Sequence, residues 1–146
     1  MLTKGEIMLI DTHCHLNDEL LEKREDEIVG SFLDDGIECA VCVGYDLPSS
    51  FLARDIAARH DRVWFAAGIH PHDSDTADDE KYAAIRELAS DKKAVAIGEI
   101  GLDYYYDNSI RELQKKAFQE QIELANEVNL PIVLHIRDAY ENARKI

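Results

Sequence analysis

Five short apolar runs, separated by longer charged stretches, limit what this chain can fold into more than any other feature. The runs are Leu9–His15, Glu38–Gly44, Val63–Ile69, Ala94–Ile100 and Pro131–Ile136. Runs of this length, nearly continuous in apolar and β-branched residues, read as strands buried on both faces, and such strands form parallel sheets covered by helices. The stretches between them carry helical spacing. Residues 17–36 hold the stripe Ile28, Val29, Phe32 and Leu33, with Gly36 as a stop. A second helix runs from Pro48 to about His60, with Phe51, Leu52, Ile56 and Ala57 inward. A third spans Thr76–Ser90, its acidic first turn suited to the positive end of the helix dipole. Gly101–Asn108 reads as a loop. Ser109 and Glu112 then form a capping box for a fourth helix reaching Val128, with Leu113, Ala117, Phe118, Leu124 and Val128 inward. A last helix has barely begun at Ile146. Strand–helix alternation of this kind allows a doubly wound open sheet or a βα barrel. No Gly-x-Gly-x-x-Gly or phosphate loop follows any run, which weakens the nucleotide-binding open sheet. A chain of 146 residues reads as one domain.

Chemistry-bearing side chains collect at one end of these strands. His13 and His15 end the first, His70 the third, Glu99 the fourth, and His135, Arg137 and Asp138 the fifth. That is where a barrel presents its active site. On an extended strand residues i and i+2 share a face, so Asp11, His13 and His15 point one way, and two imidazoles at a strand end can close on one cation. Glu99 interrupts an apolar run, and a buried carboxylate needs a cation or a proton. Its two oxygens can bridge two metals. His135 stands between Leu134 and Ile136 in a similar setting. Imidazole with carboxylate suits Zn, Mn, Fe or Co, and Mg where more oxygen ligands join. Two ions about 3.5–4 Å apart would activate water and stabilise a leaving oxygen in phosphodiester hydrolysis. Arg137, in phase with His135, can hold a phosphate or pair with Asp138 or Asp103. His70 and His72 either contact substrate or shape a loop. Tyr104, Tyr105 and Tyr106 either stack on a base or pack under the site.

Composition narrows the partners. A net charge of −14 and an isoelectric point near 4.7 argue against tight non-specific DNA binding, which uses a basic stripe, but leave room for a nucleic-acid end held by metal ions and a few cations. No apolar run approaches the roughly 20 residues of a membrane span. Met1–Met8 lacks the pattern of a signal peptide, and Met8 can serve as the start, with Met1–Ile7 an extension. Cys14, Cys39 and Cys42 make an odd count, which points to a reducing, cytoplasmic setting. Cys39 and Cys42, three apart on one strand, face opposite sides and read as small buried residues rather than a metal pair.

Four segments together resemble the TatD family of metal-dependent deoxyribonucleases. They are Ile10-Asp11-Thr12-His13-Cys14-His15-Leu16, Gly68-Ile69-His70-Pro71-His72, Gly98-Glu99-Ile100-Gly101-Leu102-Asp103-Tyr104-Tyr105 and Leu134-His135-Ile136-Arg137-Asp138. The resemblance runs from Met8 to the end. It implies a (βα)8 TIM barrel, related to the metal-dependent amidohydrolases, of which this chain carries about the first five βα units. It also implies hydrolysis of DNA phosphodiesters, often as a 3′–5′ exonuclease, with two divalent ions (Mg, Mn or Zn). By motif position His13 and His15 look like ligands of one metal, Glu99 like the shared ligand and catalytic carboxylate, and His135 like a ligand of the second. His70, Asp103 and Arg137 fall to substrate binding.

Two departures stand out. Ile136 replaces a residue that is usually small and polar in the family. A complete barrel needs about 250 residues, and a His after strand six and an Asp after strand eight, both family ligands, have no counterpart. The expectation is a single incomplete barrel domain over residues 1–146, with first and fifth strands as open edges that invite association with another chain. Another amidohydrolase-like hydrolase and an inactive fragment are the alternatives.

Overall fold

The fold is given by a computed structural model that describes residues 8–21 and 23–146. The Met1–Ile7 extension lies outside the described residues. Strands β1 (Leu9–Cys14), β2 (Ile37–Val43), β3 (Val63–Ala67), β4 (Ala94–Asp103) and β5 (Ile132–Arg137) alternate with helices α1 (Glu25–Ser31), α2 (Leu47–Arg59), α3 (Asp79–Leu88), α4 (Arg111–Val128) and α5 (Tyr140–Ala143). All neighbouring strands pair in parallel, and their order in the sheet is their order in the chain. A doubly wound sheet reverses direction part-way; this one does not. It curls as half of a barrel.

The two faces of the sheet are packed differently. Ala40, Cys42, Val63, Phe65, Ala67, Ile97, Ile100 and Leu102 turn outward into one large core shared with the helices. Val43, Ala66 and Ala96, with Val41 and Val133, form a small second cluster on the concave side. Period-2 alternation separates the two, broken in β4 between Ile97 and Ile100, where the pairing with β5 shifts register. The edge strands are less covered: Leu9 and Ile10 are about 60% exposed, and Leu134 is 50% exposed. At the N-terminal rim, Lys93 donates to the carbonyls of His60, Asp61 and Val63, closing strand ends with no chemistry attached.

Several local expectations are corrected. β4 continues through Asp103, so Gly101–Asp103 is strand and not loop. A side chain on Gly101 (φ +150°) would run into the backbone carbonyl of His135, so its bareness lets the two site-bearing strands approach. Ser109 does not cap α4. Its hydroxyl accepts from the Asp75 amide at 2.9 Å, and Ile110 takes the cap position without a side-chain bond. α3 begins only at Asp79, capped by Asp78, after a 3-10 turn over Pro71–Thr76. Leu33, Phe51 and Leu52 lie outside the core, and Cys39 is only half-buried. α2 starts as its sequence implies. Asp46 and Ser49 cap it reciprocally, with Pro48 in the first turn.

Candidate metal centre

The curled sheet gathers its polar residues on one rim. His15 follows β1, His70 and His72 follow β3, Glu99 and Asp103 stand on β4, and His135 on β5. Of these, His15, His70, His72 and Glu99 border an open hollow of about 480 Å³, to which Asp18, Tyr45 and Asp73 also contribute.

Two groups meet at Glu99. On the β1 side, the Nε2 atoms of His13 and His15 lie 3.2 Å apart and 3.3 and 3.8 Å from Glu99 Oε2. His15 Nδ1 is 2.9 Å from the carbonyl of Val43. A carbonyl only accepts, so Nδ1 carries the proton and Nε2 presents its lone pair. The same carbonyl accepts from Asn17 Nδ2, whose buried amide also reaches Ser49 O. Asp11 accepts from the His13 amide at 3.0 Å. On the β5 side, Glu99 Oε1 lies 3.1 Å from His135 Nδ1. His135 Nε2 is 2.9 Å from Asp103 Oδ2, which also meets His72 Nε2 at 3.0 Å.

The chemistry of the β1 side fits a divalent cation. Two imidazole nitrogens and one carboxylate oxygen converge, and lone pairs facing one another at 3.2 Å repel unless a cation or proton lies between them. The ligand atoms of His13, His15 and Glu99 all fall within 4.8 Å of one another, as do those of His70, Glu99 and His135. His70 is the weaker member of the second group. Its Nδ1 accepts from the His72 amide at 3.2 Å, so the neutral ring carries its proton on Nε2 and offers a donor rather than a lone pair. Burial, reinforced by His135, pushes the His70 pKa down to about 4, partly opposed by Glu99 and Asp103. His70 is therefore a neutral donor at pH 7.

Burial would raise the Asp103 carboxyl, but bonds from the Tyr106 amide, His135, His72 and the Tyr105 amide outweigh it and hold it at about 2. Glu99 is likewise lowered: burial opposes this, and His135, His13 and His70 prevail. The Glu99 contact raises the His135 pKa against burial, with help from Asp103. Burial lifts the thiols of Cys14 and Cys42 to about 12 and about 11, so neither is a nucleophile or ligand at neutral pH.

The structure brings His13, His15, Glu99, His70 and His135 together as the sequence predicts. Asp103 is corrected. It was expected to face substrate, but it is fully buried, with one oxygen on His72 and His135 and the other on the amides of Tyr105 and Tyr106. It anchors imidazoles instead. Arg137 is exposed and lies over the rings of Tyr105 and Tyr106, at 4.0 and 4.7 Å from their centroids. Sequence reasoning missed Asn17, Tyr45, Gln114 and Gln121. The two glutamines had a signal, being polar residues on the inward stripe of α4.

Comparison with known proteins now adds to this geometry. The family described as TatD related DNase matches residues 10–146. The chain belongs to the TatD family. Its relatives include YabD of Bacillus subtilis, named an uncharacterized metal-dependent hydrolase, 43% identical over 135 residues that make up 92% of this chain and 53% of that protein. TatD of Escherichia coli K12, named a 3′-5′ ssDNA/RNA exonuclease, is 35% identical over 133 residues, 91% of this chain and 51% of that one. The crystal structure of YJJV, a TatD homolog from Escherichia coli K12, superposes with a TM-score of 0.87 at 25% identity, covering 94% of this chain and 54% of that one. A TatD family hydrolase from Entamoeba histolytica, 20% identical, shares the fold with a TM-score of 0.85 over 97% of this chain and 54% of that one. The chain spans about half the length of the curated relatives it matches. No helix among the described residues is long and apolar enough to cross a membrane.

Proposed function

We propose that the chain carries one side of the active centre of a metal-dependent phosphodiesterase that removes nucleotides from a DNA end, with 3′–5′ polarity. The division of Glu99 between two imidazole groups supports this most directly: Oε2 faces His13 and His15, Oε1 faces His135. In this reading His13, His15 and Glu99 hold one divalent ion, and Glu99 and His135 share in holding a second. Bound ions of the Mg, Mn or Zn kind would supply Lewis acidity at the phosphoryl group and a water able to attack near neutral pH. Glu99, held ionised, would offset part of the ions' positive charge and leave the centre attractive to a phosphate. His70 Nε2–H donates to a phosphoryl oxygen, because its other nitrogen is already occupied by the His72 amide. Arg137, propped on two tyrosine rings, meets the next phosphate or base. A chain of net charge −14 has few such cations, which suits capture of an end better than tracking along a duplex.

In the same reading the five βα units form a single incomplete barrel domain, the exposed edges β1 and β5 associate with further protein, and the free cysteines work in the cytoplasm. The test is nucleotide release from a 3′-labelled single-stranded oligonucleotide with Mg²⁺ or Mn²⁺, comparing the full chain with Glu99→Ala. Release should fall by about 100-fold or more, beyond the 10–100-fold typical of groups behind metal ligands. Equal release by both proteins overturns the reading, and turnover of an amide or lactone in its place assigns another hydrolase.

A further inference from the structure

α4 presents an apolar face to the sheet, yet two glutamines stand in the middle of it. Gln114 and Gln121 are 0% exposed. Seven residues apart, they lie two helical turns, about 10.5 Å, from each other on one side of the helix. Each amide makes the same paired contact with a single backbone residue. Gln114 Oε1 accepts from the Asp103 amide at 2.8 Å, and its Nε2 donates to the Asp103 carbonyl at 3.1 Å and to Ser109 O at 2.7 Å. Gln121 Oε1 accepts from the Ile69 amide at 2.7 Å, and its Nε2 donates to the Ile69 carbonyl at 3.0 Å. A spare bond to Ala117 O at 3.2 Å completes the second amide.

These contacts fall where the sheet runs out. Ile69 lies beyond the end of β3, and Asp103 is the last residue of β4. Backbone groups there have lost regular strand partners, and each glutamine takes the place of the missing strand. An unsatisfied buried amide is costly, and a methionine of similar volume would fill the same space without one. Both clamped residues also bear directly on the site. Ile69 precedes His70. Asp103 carries the carboxylate on which His72 and His135 rest.

We infer that Gln114 and Gln121 are positioning residues of the candidate centre, two rungs on one helix that hold the strand ends carrying Asp103 and His70. Gln114 acts on His72 and His135 through Asp103. Gln121 acts on His70 through Ile69. A loss of either amide frees the strand end, and the imidazoles it carries lose their alignment, while His15, held by the Val43 carbonyl of β2, and His13 beside it keep theirs.

The closing experiment reads the rings before it reads activity. Side-chain ¹H–¹⁵N spectra of the metal-free full chain are compared for wild type, Gln114→Met, Gln121→Met and Leu124→Ala, a buried apolar truncation on the same helix, each at the same interval below its own melting temperature. Gln114→Met should displace the ring signals of His72 and His135, and Gln121→Met that of His70, with His13 and His60 unmoved in both. Leu124→Ala should move none. Unchanged rings in the glutamine variants, or the same displacements in Leu124→Ala, overturn the inference. Should a variant fail to fold, amide exchange in the wild type decides. Ile69 and Asp103 should exchange within about tenfold of Ile97, a ladder amide bonded to Pro131 O; exchange at loop rates overturns it. The activity arm alone rests on the function proposed above. There kcat should fall about 10–100-fold with little change in KM. An inactive wild type would sink that function and leave the ring signals to judge this inference.

Discussion

The two sides of Glu99 are built on different terms. On the β1 side, His13 and His15 are about one-third exposed and stand at the end of a strand whose pairing with β2 slips register twice. Their side chains make few bonds to the protein, and their Nε2 atoms point at one another. On the β4–β5 side, Asp103 is sealed, all four of its backbone and carboxylate polar atoms are engaged, and His72 and His135 hang from it. The first group is arranged for something the protein itself does not supply. The second is largely satisfied by the protein alone. A site that must accept an ion keeps open ligands on one side and rigid reference points on the other.

The sharpest way to break this contrast is to remove the anchor. Asp103→Ala leaves two imidazoles and the amides of Tyr105 and Tyr106 without their partner. Loss of one member of a buried ionic network costs about 3–5 kcal/mol, so urea denaturation should show a drop of about 3 kcal/mol or more in the metal-free chain. Cation binding by His13 and His15, followed by calorimetry, should survive while the protein is folded. A drop under about 1 kcal/mol would mean that the β4–β5 side is no more self-sufficient than the β1 side.

Next in size is the effect of His70, and its sign is fixed by its environment. Its pKa is about 4 in the folded chain and about 6.5 in the unfolded one. The stability it contributes is complete above pH 6.5 and is lost as the pH falls toward 4, because only the unfolded state then binds the proton freely. The loss is on the order of 2–3 kcal/mol. Denaturation in chelator between pH 7.5 and 4.5 should show a steeper decline for the wild type than for His70→Gln. Parallel declines would remove His70 as the group responsible. His135, raised by Glu99, acts in the opposite sense: it adds stability below its unfolded value that is lost as the pH rises through its higher folded value.

The contrast also explains what was legible beforehand. The β1 side was readable because His-x-His on a strand is a local pattern, and period 2 puts both rings on one face. Glu99 was readable because a carboxylate inside Ala94–Ile100 must be compensated. The strand order followed from alternation and the missing nucleotide motifs. Asp103 was misread because its neighbours in sequence, Tyr104 to Asp107, look like a loop, whereas its true partners His72 and His135 are each more than 30 residues away. Gln114 and Gln121 were passed over for a related reason. A helix stripe is scored by its apolar members, and the backbone that these amides satisfy belongs to distant strand ends. Ser109 shows the converse, since a capping signature valid within its own segment lost to a tertiary acceptor role toward Asp75.

The smallest expected change in stability tests the β1 side directly. His13 is exposed at the edge of the sheet, and among the described residues its ring meets His15 and Glu99. His13→Ala removes no core packing and leaves the Asp11 contact to its backbone amide possible. Its metal-free stability should stay within about 0.5 kcal/mol of wild type, as for surface substitutions generally. Its affinity for Mn²⁺ or Zn²⁺ should nevertheless fall at least tenfold, since a ligand is lost and not merely a group behind one. That pairing of a silent fold with a lost ion is the signature of a residue placed for something outside the protein. If His13→Ala instead destabilises the metal-free chain as much as Asp103→Ala does, both sides of Glu99 are scaffold. If it leaves cation affinity untouched, the converging imidazoles hold no ion at all.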